Sequence, residues 1–318
     1  MKERLARLLI RFSRKGFVYF GHGVAPKRQD SYIERLHILE ADFVDLLHYW
    51  KRMGVDFISM DDLWQLSRVG FKAQRSWVHF TFDDGYRNNL TTLLPIMEAY
   101  NIPFSVFVST GLIEDGERMP SFYIRCAFQY ASKAALHRFY SRSTFQLKKG
   151  LTRKQAADFV VNHFKYLPFA EGQVLLKTAV EMLSQAQWTE LYEKYNNDQL
   201  LTGGEMQQLA AHPLVHLGAH GSRHLIHHAQ QPAYRLDEEL MHPLRYLDEH
   251  PVTFAYPNGT LLDYSDKSRQ MLVKHGYQLG FTTAAGFVTQ GEDPLSIPRF
   301  HLTPKGNWVV RKWFYGFE

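Results

Sequence analysis

The sequence predicts an α/β fold, a β/α barrel interrupted once by a block of helices. Short apolar β-type runs alternate with helical patterns up to about residue 110. From about 111 to 200 the alternation lapses into helical segments with little β character, and beyond 200 it resumes. Such alternation builds a parallel sheet or barrel, because a strand returns in the same direction only through a crossover, usually a helix.

Taken in order, "GFVYFGHGV" (16–24) reads as a strand with a turn after it. In "EADFVDLLHYWKRMG" (40–54), Phe43, Leu46, Leu47 and Trp50 recur at helical spacing and Gly54 is placed to stop the helix. The strand "VDFISM" (55–60) and a short helix opening at "DDLWQL" follow. Next come the strongly β-type "SWVHFTFDD" (76–84), a helix to Tyr100 and the strand "IPFSVFVST" (102–110). "RKQAADFVVNHFKYL" and "EGQVLLKTAVEMLSQ" are helices of the 111–200 insertion, set within a single domain over 1–318. After it come the helix "TGGEMQQLAAH", the strand "LVHLGAHG" (214–221), the helix "RLDEELMHPLRYLDEH" and the strand "VTFAYPNG" (252–259). A helix through about 276 leads to the strand "LGFTTA" and to "LSIPRFHL" (295–302), giving seven or eight strand–helix units.

The 318 residues are 45% hydrophobic and 14% aromatic, a globular composition with ample core. Net charge is +5, and the first 28 residues are the most clearly basic part. That end reads either as a solvated basic terminus or as a peripheral contact with an anionic membrane. Lys2 to Phe12 would form a short amphipathic helix that either lies on such a surface or packs on its own domain. Basicity this mild does not argue for a nucleic-acid partner. The single cysteine, Cys126, excludes an intrachain disulfide and a cysteine-based metal site. No signal peptide and no apolar run near the ~18 residues of a membrane span is visible, so the expectation is a cytoplasmic protein, at most at the inner membrane face.

Two stretches carry chemistry. "FTFDDGYRNN" (80–89) sets Asp83 and Asp84 side by side at the end of an apolar strand. "LGAHGSRHLIHH" (217–228) puts His220 and His224 four residues apart directly after another strand. Strand ends of a parallel β/α fold share one mouth, so the two pairs should meet there. Two histidines and a carboxylate make a facial set that leaves open positions on zinc or iron, and a cation beside two adjacent carboxylates offsets their repulsion. One alternative is a histidine-rich loop that holds no metal; another is a metal set in which His227 or His228 competes as a ligand.

"TFDDG", the HxxxH after a strand and "FAYPNG", in that order, resemble the first three motifs of the polysaccharide deacetylase family, the NodB-homology carbohydrate esterases. "YFGHGVAP", "FVDLLHYWKRMGVDFISMDDL" and "GYQLGFTTAAGFV…DPLSIPRF" are similar to less diagnostic parts of the family, so the resemblance spans the chain apart from the insertion. It implies a distorted (β/α)7-type barrel and a divalent metal ion, zinc first, with iron, cobalt or nickel as alternatives. It implies Asp83 as catalytic base, Asp84, His220 and His224 as metal ligands, and a third motif, Phe254 to Gly259, lining a sugar groove. Within that motif Tyr256, Pro257, Asn258 and Gly259 are the substrate-binding candidates, Tyr256 as a stacking ring.

The sequence departs from the family in three places, one of them Gly221, which follows His220 where members often carry Ser or Thr. Ala255 stands where many members carry an arginine that orients the base, and Arg299 of "IPRF" is the candidate replacement. No "LLHD"-type motif supplies the usual late histidine; His301 is the candidate general acid, with His22, at the end of the first strand, as a second candidate and substrate contact. Alternation along a strand would put Arg299 and His301 on one face. The reading that follows is a metal-dependent deacetylase acting on the N-acetyl or O-acetyl group of a sugar in a polysaccharide, glycolipid or glycan precursor. The alternatives are a catalytically silent glycan-binding domain and an amidase acting on a non-sugar C–N bond.

Overall fold

The computed structural model describes residues 10, 12–142, 150–228, 231–247 and 250–302. The basic N-terminal helix proposed over Lys2 to Phe12 falls almost wholly outside them. The strands are β1 (Gly16–Gly21), β2 (Gly23–Ala25), β3 (His37–Leu39), β4 (Asp56–Phe57), β5 (Trp77–Phe82), β6 (Phe104–Val108), β7 (Val215–Ala219), β8 (Thr253–Ala255), β9 (Leu279–Phe281) and β10 (Phe300–His301). The helices are α1 (Glu40–Met53), α2 (Met60–Arg68), α3 (Leu94–Tyr100), α4 (Thr110–Glu114), α5 (Pro120–Tyr130), α6 (Lys133–Arg142), α7 (Arg153–Lys165), α8 (Phe169–Val180), α9 (Gln185–Lys194), α10 (Gly203–Ala210), α11 (Ala233–Met241) and α12 (Asp266–Lys274).

The main sheet runs β10-β1-β5-β6-β7-β8-β9, with all pairs parallel. β1 takes one edge of β5 along its whole length, so β4, paired at Trp77 and Val78, and β6, paired from Phe80 to Phe82, share the other. Every residue of β1, β5, β6 and β7 is buried, which is why these strands read as continuous apolar runs rather than alternating ones. The segment after β9 curls the sheet shut. Ile297 donates to Gly280 O and accepts from Thr282 N, and from three residues further on Phe300 and His301 pair with Tyr19 and Phe20 of β1. One stretch of chain thus touches both ends of the sheet, and the fold is a distorted β/α barrel, as expected. Only Phe300–His301 of the expected 295–302 strand forms a ladder, because the bridging residues split their bonds between two partners.

α1 buries Phe43, Leu46, Leu47, Trp50 and Met53 on one face and ends at Gly54, left-handed at φ 65°. Phe43 and Trp50 are both fully buried, each worth about 1.5–3 kcal/mol or more by area removed from water. α2 starts at a reciprocal capping box between Ser59 and Asp62. From Thr110 to Lys194 the described elements are helices, α4 to α9. Phe122, Phe128, Phe139, Val160 and Trp188 there form a cluster separate from the one under the sheet. Tyr32 and Ile33, from the loop between β2 and β3, pack into that cluster and tie it to the barrel mouth.

Candidate active site

Asp83 and Asp84 lie just beyond β5, both buried. Asp84 sits at φ 75° and is followed by Gly85 at φ 80°, so the backbone swings out of the strand through two left-handed residues. Such a conformation costs roughly 1–3 kcal/mol for a residue with a Cβ. His224 (φ 58°) and Asn258 (φ 64°) are strained in the same sense, and all three line one cavity of about 320 Å³. Left-handed non-glycine residues gathered in one cavity point to function, since packing alone has no use for them.

His220, just past the end of β7, and His224 both aim Nε2 at Asp84 Oδ1, each at 3.4 Å. Among the described residues, Asp84, His220 and His224 form the group able to hold a metal ion, with one ligand atom from each within 4.8 Å of the others. Three features fit an ion there. Asp84 Oδ1 is buried with no hydrogen-bond partner. His220 donates Nδ1–H to Ala255 O at 2.8 Å, which turns Nε2 toward Asp84; burial is outweighed by Asp83 and Asp84, which raise this ring, so an ion would take the place of a proton there. Burial pushes the His224 imidazole down to about 3, so it stays neutral and able to donate its lone pair. His227 and His228 are outside the set: His227 packs on Phe254 at 5.3 Å and His228 bonds Gln231.

The loop carrying His224 is fixed from beneath by Glu239 of α11, a buried carboxylate absent from the sequence reading. Its oxygens accept from Arg223 N at 3.0 Å and Leu225 N at 3.2 Å, on either side of His224. Burial pushes the Glu239 carboxyl up to about 7, against the backbone N–H groups that favour its charge. Gly221, at φ 81°, passes so close that a Cβ there would stand 2.3 Å from Glu239 Oε2. A lone glutamate in an amphipathic helix carries no sequence signal of this role.

Arg299 is fully buried and grips Asp83 with two guanidinium nitrogens, each 2.8 Å from its own carboxylate oxygen. Its remaining bonds go to Thr282 O and Thr81 Oγ1, fixing it to β5 and to the residue just past β9. Burial alone would raise the Asp83 carboxyl; Arg299 and the nearby histidines hold it below the usual carboxylate range instead. Arg299 and His301 both flank Phe20, with the guanidinium 4.8 Å and the imidazole 4.9 Å from its ring centre. The two therefore share a face, Arg299 beneath the cavity floor and His301 on its wall. His22 also lines the cavity; its Nδ1 is buried without a partner, and burial pushes the ring down to about 4.

The third motif divides differently from the expectation. Tyr256 is fully buried, donates its hydroxyl to Leu295 O at 3.0 Å and stacks on Tyr264 with ring centres 4.5 Å apart. It is a core residue with no face left for a sugar, because its hydroxyl is used to hold the segment that closes the barrel. Pro257 and Gly259 are likewise buried and absent from the cavity wall. Asn258 alone reaches it, accepting from Lys165 Nζ at 2.6 Å and donating to Asp263 at 2.9 Å. Lys165 ends α7, and with Arg125 of α5, Phe164 and Leu176 it forms a wall supplied by the helical block.

A distorted parallel β/α barrel with an Asp–His–His cluster beside an arginine-pinned aspartate defines the class, a fold with a candidate metallohydrolase site at its C-terminal strand ends. Residues 72–156 match the family model described as polysaccharide deacetylase, and the resemblance read from the motifs holds. The fold is similar over nearly the whole chain to three solved structures. IcaB from Ammonifex degensii is 17% identical, covering 94% of this chain and 96% of its own at a TM-score of 0.59. The Streptococcus pyogenes deacetylase PplD in complex with acetate is 16% identical (93% and 97%, 0.57). The BpsB deacetylase domain from Bordetella bronchiseptica is 16% identical (91% and 96%, 0.52). No curated protein matches the chain.

Proposed function

We propose that this protein is a metal-dependent hydrolase that removes the acetyl group from an N-acetylated sugar. The observation that carries the reading is the convergence of Asp84, His220 and His224 beside an Asp83 already paired to Arg299. The family match over 72–156 and the deacetylases among the similar folds support the acetyl group as the target. Asp84, His220 and His224 would hold the ion. When bound, a divalent ion such as zinc supplies Lewis acidity, polarising the acetyl carbonyl and making water reactive near neutral pH.

The residues of the chain do the rest. Asp83 is kept ionised by Arg299 and takes a proton from the attacking water, its remaining lone pairs being free for that bond. Arg299 is used up in three directions and acts by holding Asp83 in place and in its charge state. His301 and His22 line the same cavity, and one of them takes the proton from Asp83 and passes it to the leaving amine nitrogen as the C–N bond breaks. Desolvation lowers both imidazoles, so each, once protonated, gives its proton up readily. Water and amide are thereby converted to acetate and the protonated amine.

The test is elemental analysis of untagged protein paired with an acetate-release assay on N-acetylglucosamine oligosaccharides. About one zinc, iron, cobalt or nickel per chain, lost in the His220→Ala/His224→Ala double variant together with acetate release, is the expected result. A wild-type protein that takes up no metal from added Zn²⁺ overturns the reading in favour of a silent sugar-binding domain.

A further inference from the structure

The proposed chemistry leaves the cationic end of the cavity unused. Arg125 is 4% exposed, yet its Nε is buried without a hydrogen-bond partner, and the nearest carboxylate, Asp158, lies 4.0 Å away. That carboxylate is already shared: Arg35 pairs with it at 3.0 Å and the Tyr32 hydroxyl donates to it at 3.2 Å. Lys165, within electrostatic reach of Arg125, Asp263 and Asp84, makes its hydrogen bond to a neutral amide oxygen, that of Asn258. The other two arginines of the wall differ in being matched, Arg35 by Asp158 and Arg223 by two carboxylates, Glu117 at 3.0 Å and Asp115. Leaving a buried guanidinium short of a partner costs several kcal/mol unless something else neutralises it. Arg125 lines the cavity, so an anion bound there can add to the weak compensation that Asp158 gives.

We propose that Arg125 and Lys165 bind a phosphate ester carried by the sugar substrate, making the substrate class an N-acetyl sugar joined to phosphate rather than a neutral glycan. The inference rests on the deacetylase reading for the position of the sugar. Planar guanidinium and ammonium groups together suit a tetrahedral anion, and their hydrogen bonds to it are charge-assisted. The cavity, about 320 Å³, is at the small end of the ~300–1,000 Å³ typical of small-molecule sites, which suits one sugar with its phosphate. Nucleotide-linked and lipid-linked sugars share this chemistry.

Calorimetric titration of the zinc-loaded Asp83→Asn variant, which lacks the proposed base, with N-acetylglucosamine 1-phosphate and with N-acetylglucosamine tests it without turnover. The phosphate ester should bind at least about tenfold tighter, and Arg125→Met and Lys165→Met should each remove about tenfold of that preference. The His220→Ala/His224→Ala variant should keep it. Lys165→Met, at a less buried site, stands in where Arg125→Met does not fold. Equal affinity for the two ligands, or a preference that survives in folded variants of both cations, overturns the proposal. So does a preference lost only in the histidine variant, which would place the anion on the metal. Comparing a uridine-diphosphate N-acetyl sugar with an isoprenyl-phosphate N-acetyl sugar in detergent micelles separates the two sources. Absence of acetate release from every substrate would sink the hydrolase reading while leaving the anion affinity and its dependence on Arg125 measured.

Discussion

Arg299 and Asp83, 216 residues apart in sequence, meet in a two-pronged ion pair with both contacts at 2.8 Å. The arginine arrives on the segment that closes the barrel, so sheet closure and the charge state of the aspartate are one structural event. Arg299→Met should cut acetate release by about 10²–10⁴-fold, the usual worth of a positioned base. It should also move the acid limb of the pH–rate profile upward. The sign follows from Asp83 being held below the ordinary range: it is ionised down to low pH, and loss of the guanidinium raises its pKa. The same pair should stabilise the fold above the ordinary aspartate pKa and lose that contribution as pH falls through the depressed one. A profile unmoved in the variant would mean that another group is the base.

Asp84→Ala should abolish tight zinc binding. Measured by denaturant unfolding near neutral pH, the metal-free variant should be less stable than metal-free wild type, because burial is outweighed by His220, His22 and His224, which hold the Asp84 carboxyl well below the usual aspartate range. Unchanged stability of the metal-free variant would show that the histidines do not compensate this charge without the ion.

Glu239→Ala strips two backbone N–H groups, at Arg223 and Leu225, of their buried acceptor. Each such loss is worth about 1–3 kcal/mol. Unfolding free energy should drop accordingly, and zinc affinity should fall because the His224 loop is no longer held. Gly221→Ala should destabilise by more than about 1 kcal/mol through its positive φ and its approach to the same carboxylate.

Tyr256→Phe separates a groove residue from a core one. The hydroxyl bonded to Leu295 O should cost about 1 kcal/mol of stability when removed. KM for the acetylated sugar should stay unchanged, and a several-fold rise in KM would return Tyr256 to the substrate surface.

The local part of this account was legible in the sequence. The apolar spacing in α1 and the run before Asp83 follow from the periods of helix and strand. The motifs place Asp83, Asp84, His220 and His224 at strand ends, and strand ends of a parallel barrel converge by construction. Position along a strand also gave Arg299 and His301 a common face, since alternation is a local property.

Tertiary structure alone decided the rest, because burial and partnership depend on which distant segments pack together. Tyr256 looks like a stacking ring by its motif, yet the closing segment covers it and takes its hydroxyl. Glu239 looks like one more surface acid of a helix until α11 docks it beneath the His224 loop. Arg125 and Lys165 sit in helices whose periodicity records only their own packing, and their juxtaposition in one wall depends on how the helical block sits over the barrel mouth. Sequence fixes the order and spacing of chemical groups along the chain, whereas the environment that sets their charge and exposure exists only once the barrel has closed.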